Sequence, residues 1–60
     1  MQVGDRIKII KMDGEPQYNG KEGVITSIIE DPWGDTQVHG TWGGCCIYPH
    51  KDTVEVLSNG

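Results

Sequence analysis

Glycine and proline interrupt this chain so often that no long helix fits between them. Nine glycines and three prolines are spread over 60 residues. The stretches between them are short and rich in valine, isoleucine and threonine, a composition typical of strands. Short strands at close spacing, separated by turn residues, predict a small all-β barrel or sandwich.

Five stretches are expected to form the strands of a single domain. Alternation is clearest in the first, where Ile7 and Ile9 share one face and Arg6 and Lys8 share the other. The PHKD stretch at 49–52 reads as a tight helical turn before the last strand. The domain is expected to cover 1–57, followed by a tail at 58–60. The expected strands are 3–12, 23–30, 36–42, 45–49 and 52–57.

The two glycines at 43 and 44 predict a two-residue hairpin between the third and fourth strands. In that register Trp42 pairs with Cys45 and Gly40 pairs with Ile47, all on the inner face. Gly40 leaves room on this face for the indole of Trp42. Trp42 is therefore expected to be a core residue.

The other tryptophan lies in DPWGD, residues 31–35, which reads as a turn. Proline fixes its own backbone angle, the Asp31 side chain can accept bonds from nearby amides, and Gly34 lets the chain reverse. Trp33 either folds back to cap the core or stays exposed as the centre of a contact surface. We expect it to be at least partly exposed, beside Tyr18 or Tyr48 and Pro49.

The order of these elements resembles an SH3-like barrel with five strands and a short helical turn before the last strand. Gly4-Asp5 and the Gly20 to Gly23 stretch, each followed by isoleucines, resemble the KOW type of that fold over residues 4–28. The words VGDRIKIIKM, GKEGVITSI, QVHGTWGG and YPHKDTVEVL, within residues 3–57, resemble a small family of uncharacterised bacterial and mobile-element domains. This second resemblance implies a fold and a genomic setting, and no reaction.

Aromatic residues near the predicted loops indicate a protein- or peptide-binding surface. Aromatic-lined grooves bind extended peptides, and acidic residues in the same loops would favour a basic ligand. The expected function is therefore a non-catalytic interaction module whose partner is a protein, a peptide or a second copy of the chain. Its candidate binding residues are Tyr18, Trp33, Tyr48, Pro49 and His50, and the acidic residues are Glu15, Glu30, Asp31 and Asp35.

The alternative is a nucleic-acid-associated accessory domain of KOW type. Arg6 and Lys8 share the outer face of the first strand, and Lys11 and Lys21 bracket the first loop. A face of three or four cations can touch a phosphate backbone. The net charge of −4 argues against non-specific binding. Lysines on an edge strand also discourage sheet-to-sheet aggregation, so we favour the protein-binding interpretation.

Catalysis and metal binding are not expected. A nucleophilic pair needs a cysteine beside a histidine, but Cys45 is expected to face the core and Cys46 lies diagonal to His39. A structural zinc site needs four ligands, and Cys46, His39 and His50 offer three. We therefore expect no enzyme activity, no bound metal and no cofactor.

The two cysteines are adjacent, so on a strand they point to opposite faces and do not pair. Free thiols suit a reducing cytoplasm. No apolar stretch has the length of a membrane helix, and residues 1–10 lack the apolar run of a signal peptide. A soluble cytoplasmic protein is the expectation.

Overall fold

The computed structural model describes residues 1–59 as an all-β domain with almost no helix. Its strands are β1 (Arg6–Lys11), β2 (Glu22–Glu30), β3 (Thr36–Gly40) and β4 (Thr53–Ser58). They form one antiparallel sheet in the order β3-β2-β1-β4. One turn of 3₁₀ helix, Pro16–Tyr18, lies in the long loop between β1 and β2.

Alternation along the strands places a compact apolar core on one face of the sheet. Ile7 and Ile9 of β1 are fully buried, as their spacing predicts, while Arg6 and Ile10 on either side of them are exposed and Lys8 between them is half-buried. Tyr18, Cys45 and Val54 pack against the edge of this core. Its buried members are Ile7, Ile9, Met12, Ile25, Val38, Trp42 and Ile47.

The prediction of five strands in a closed barrel is wrong, because the structure has four strands in an open sheet. Residues 45–49 do not form a strand, and their backbone pairs with β3 through an isolated bridge between Ile47 and Val38. The amide of each of these two residues donates to the carbonyl of the other, at 2.8 Å.

The side chain of Trp42 explains why the predicted hairpin is absent. Its Nε1 donates to the Cys45 carbonyl oxygen at 2.7 Å, so an acceptor that a hairpin ladder would use is bound by a side chain. The loop is longer than two residues, and Ile47 pairs with Val38 instead of Gly40. This is a shift of two residues, which keeps every side chain on its predicted face.

Trp42 itself lies where the sequence predicts. It is 4% exposed and is the only aromatic residue among the buried core members of residues 1–59. A Cβ on Gly40 would overlap its ring and the Val24 carbonyl oxygen, so only glycine fits beneath the indole. The prediction that Gly40 makes room for Trp42 is confirmed.

The last strand is less buried than its pattern suggests. Alternation in this strand predicts that both Val54 and Val56 face inward. Val54 packs against the core, whereas Val56 is exposed. The register of β4 against β1 shifts between the Ile7 and Arg6 partners, which disturbs the alternation at this end. The tight turn predicted at 49–52 is present, since the Tyr48 carbonyl accepts from the amides of Lys51 and Asp52, but it is a turn and not a helix.

Candidate functional site

The turn between β2 and β3 is held by the side chain of its first residue. Asp31 Oδ1 accepts from the amides of Trp33 and Asp35, both at 2.9 Å. Two backbone bonds close the same turn, from Gly34 to the Asp31 carbonyl and from Asp31 to the Asp35 carbonyl. Gly34 has a φ of 84°, the left-handed conformation that glycine adopts without strain. The backbone that carries Trp33 is therefore well braced.

Trp33 projects from this turn into solvent. Its exposed fraction is 84%, the highest among the large hydrophobic residues that the structure leaves exposed in residues 1–59. The prediction of exposure is confirmed, and the alternative in which Trp33 folds back to cap the core is wrong. The tryptophan of the core is Trp42, and Tyr18 and Cys45 pack against that core.

Tyr48, Pro49 and His50 lie in the tight turn that precedes β4, and Tyr48 is tied to the outer face of β3. Its hydroxyl accepts from Gln37 Nε2 at 3.1 Å, and the His50 ring stands edge-on to its ring at 5.8 Å between centroids. Lys51 Nζ lies over the Tyr48 ring, 4.9 Å from its centroid. The pKa of Tyr48 is raised, first by the Cys46 side chain and then by partial removal of water, with Asp31 adding to the shift.

Tyr18 occupies a third position, at the end of the 3₁₀ turn. It packs against the core and lies directly over Gly43, where an added Cβ would come 2.8 Å from its Cε1. Lys21 Nζ lies 5.8 Å from the centroid of its ring. Both tyrosine rings therefore already have a lysine against them, which is a cation–π arrangement.

The structure thus distributes the candidate binding residues over three loops. Gln37 links Tyr48 to the β2–β3 hairpin that carries Trp33, whereas the contacts of Tyr18 run to Gly43, Lys21 and the core. Tyr48 and His50 are the only pair of rings in contact in residues 1–59, and they meet edge-on. Trp33 is the one candidate aromatic whose ring has neither a ring nor a lysine against it in this range.

The candidate nucleic-acid residues share their surface with carboxylates. Arg6 Nη2 lies 3.1 Å from Glu22 Oε1 in an exposed ion pair. Lys8 stands opposite Glu22 on β2 and opposite Glu55 on β4, so a carboxylate flanks it on each side. Lys11 ends β1 and Lys21 lies beside Tyr18. The outer face of β1 therefore carries a mixed charge.

The chemistry of Cys45 is that of a structural thiol. Its Sγ lies 3.6 Å from both Met12 Sδ and the Cys46 carbonyl oxygen, the two acceptors within reach of its one S–H. Burial, followed by the charge of Glu15, raises the pKa of the Cys45 thiol, which lowers its thiolate fraction at neutral pH. Within residues 1–59 no three His, Cys, Asp or Glu side chains form a group that could hold a metal ion.

Sequence reasoning missed two buried carboxylates that hold the loops together. Asp52 Oδ1 accepts from the Asp13 amide at 2.9 Å, and Asp52 Oδ2 accepts from the Tyr48 amide at 2.8 Å. Asp5 Oδ2 accepts from the Gln2 amide at 2.9 Å. The available signal was an aspartate at the border of a strand in Gly4-Asp5 and Lys51-Asp52, where a short acidic side chain binds backbone amides.

The described part of the chain encloses no pocket. None of its helical residues makes a segment of the length and apolar character needed to cross a membrane. The most distinctive surface feature is therefore a braced turn that displays a tryptophan.

Comparison with known proteins found no matching family model, no matching curated protein and no matching solved structure.

Proposed function

We propose that this chain is a non-catalytic module that binds another protein or peptide, with Trp33 as its main contact residue. The observation that carries the proposal is the 84% exposure of a tryptophan on a turn braced by Asp31. Tryptophan is enriched among the residues that dominate binding energy at interfaces. An exposed tryptophan that nothing in the fold requires is best explained by a partner that covers it.

The bracing of the turn favours this function energetically. Binding by a mobile loop costs conformational entropy, and a contact residue held in place beforehand reduces that cost. The two bonds to Asp31 Oδ1 fix the backbone on both sides of Trp33. A turn whose only task was to connect β2 and β3 would not need a tryptophan at its tip.

We also propose a distant relation to SH3-like domains. Support comes from the long first loop, the short second loop and the tight turn before the last strand, together with the antiparallel pairing of that last strand with β1. This relation is compatible with protein binding but does not identify a partner.

A peptide-display selection on the immobilised protein tests the proposed function. Peptides enriched on the wild type should lose binding to Trp33→Ala, whose fold should stay within about 1 kcal/mol of wild type, as is usual for surface changes. Leu57→Ala is the matched control, because Leu57 is an exposed apolar residue on β4, at the other edge of the sheet from β3. Enrichment of the same peptides on wild type and Trp33→Ala would refute the proposal.

A further inference from the structure

The end of the β2–β3 hairpin combines exposed apolar side chains with charge of a single sign. Ile29, Pro32 and Trp33 are exposed there. The same segment carries three carboxylates, and no lysine or arginine occurs in the sequence between Lys21 and Lys51. We call residues 29–35 the hairpin tip. Its carboxylates are Glu30, Asp31 and Asp35.

None of these three carboxylates has a cationic partner within the described part of the chain. The ion pair found there joins Arg6 and Glu22, far along the sequence from the hairpin tip. Asp31 uses one oxygen to brace the turn, whereas Glu30 and Asp35 are exposed. Their negative charge is available to a bound partner.

The aromatic rings of the chain also differ in whether a lysine lies against them. Lys21 lies against the Tyr18 ring and Lys51 against the Tyr48 ring. Trp33, which has the strongest cation-binding face of the aromatic residues, has no cation against it in residues 1–59. Exposed carboxylates beside a free indole face complement a cation that a partner supplies.

We propose that the partner of the hairpin tip is an extended peptide segment in which an arginine or lysine stands next to an apolar side chain. This inference rests on the proposed function, because it names the kind of ligand that Trp33 binds. The cation lies over the indole face and the carboxylates of Glu30 and Asp35 surround it. The neighbouring apolar side chain covers Ile29, which is 49% exposed.

Three peptide pools with the same apolar residues test the proposal on the immobilised full chain. Their variable positions carry arginine and lysine in the first pool, aspartate and glutamate in the second, and glutamine and serine in the third. The basic pool should bind best and should lose its binding to Trp33→Ala. Raising the salt from about 0.05 M to about 0.5 M should weaken that binding, because exposed charges are screened.

Charge-removing variants give the second arm of the test. Glu30→Gln combined with Asp35→Asn should weaken basic peptides by about fivefold or more, since both lost charges face the cation. Glu55→Gln is the matched control, because Glu55 is an exposed carboxylate on β4 and its loss should leave binding unchanged.

The outcomes separate this inference from the proposed function. Binding that depends on Trp33 but is equal or stronger for the neutral or acidic pool would overturn the inference and leave the function standing. Binding by any pool that does not change in Trp33→Ala, or no binding by any pool, would overturn both. Sedimentation that shows self-association lost in Trp33→Ala would make a second copy the occupant and would also overturn the inference.

Discussion

The two tryptophans of this chain have opposite environments, and the residues around each explain why. Trp42 lies over a glycine on the inner face, where its ring is buried, and its N–H donates to the Cys45 carbonyl. Trp33 stands between a proline and a glycine in a turn whose backbone bonds with itself. Chemically identical side chains thus serve as core and as surface because of their neighbours.

At the residue scale, Trp42→Ala should destabilise the domain by about 3–5 kcal/mol, as loss of a large core aromatic does. A domain of this size has a total stability of that same order, so the variant should be largely unfolded by circular dichroism at room temperature. Trp33→Ala is the control and should melt close to wild type. A melting curve for Trp42→Ala that overlies the control would contradict the packing described for the core.

At the scale of elements, the segment 41–52 replaces a regular hairpin with side-chain bonds. The Trp42 indole binds the Cys45 carbonyl, and the Asp52 carboxylate binds the amides of Tyr48 and Asp13. The Asp13 amide belongs to the loop after β1, so Asp52 joins two loops that are 39 residues apart in sequence. These bonds hold the segment in place although residues 45–49 do not form the strand that the sequence predicts.

Removal of the Asp52 carboxylate should therefore loosen both loops. Asp52→Ala leaves two amides without acceptors at a buried site and should cost about 2 kcal/mol or more. Asp13→Ala is a matched control, because Asp13 contributes its backbone amide to this contact and its side chain is exposed. Urea unfolding of both variants measures the difference, and equal midpoints would show that the Asp52 bonds contribute nothing to stability.

At the scale of the whole molecule, charge is distributed so that Arg6 and Lys8 of β1 face carboxylates, while the charged residues of the hairpin tip are all carboxylates. Glu22 pairs with Arg6, and both Glu22 and Glu55 stand opposite Lys8 across the sheet. Backbone contact with nucleic acid depends on cations that are free to replace counterions. The surface of β1 is poorly suited to that task.

The chain should accordingly bind random-sequence DNA or RNA only weakly. We expect a dissociation constant of about 10⁻⁴ M or higher at physiological salt, which is the range of non-specific binding. Fluorescence anisotropy with labelled oligonucleotides measures this. The double variant Glu22→Gln, Glu55→Gln frees Arg6 and Lys8 and should bind more tightly than wild type. Submicromolar binding by the wild type, steeply dependent on salt and lost when Lys8 and Lys11 are replaced, would instead support the nucleic-acid alternative.

Several features follow from the sequence alone because they rest on local chemistry. Alternation along β1 predicts the burial of Ile7 and Ile9, and the Asp-Pro-Trp-Gly stretch predicts a turn with an exposed tryptophan. The all-β class follows in the same way, from the frequency of glycine and proline. In each case the deciding interactions lie within a few residues of each other.

Other features were decided only in the folded chain, because they depend on which side chain contacts which backbone group or ring. The pairing of Ile47 with Val38 instead of Gly40 accompanies the bond from the Trp42 indole to the Cys45 carbonyl, a side-chain bond that no strand pattern encodes. The buried Asp52 carboxylate accepts from the amide of Asp13, in a different loop. The folded loops place a lysine over each of the two tyrosine rings. Local patterns determine which residues can form strands and turns, whereas the side-chain contacts of the folded chain, both near and distant in sequence, decide register and which surfaces stay free.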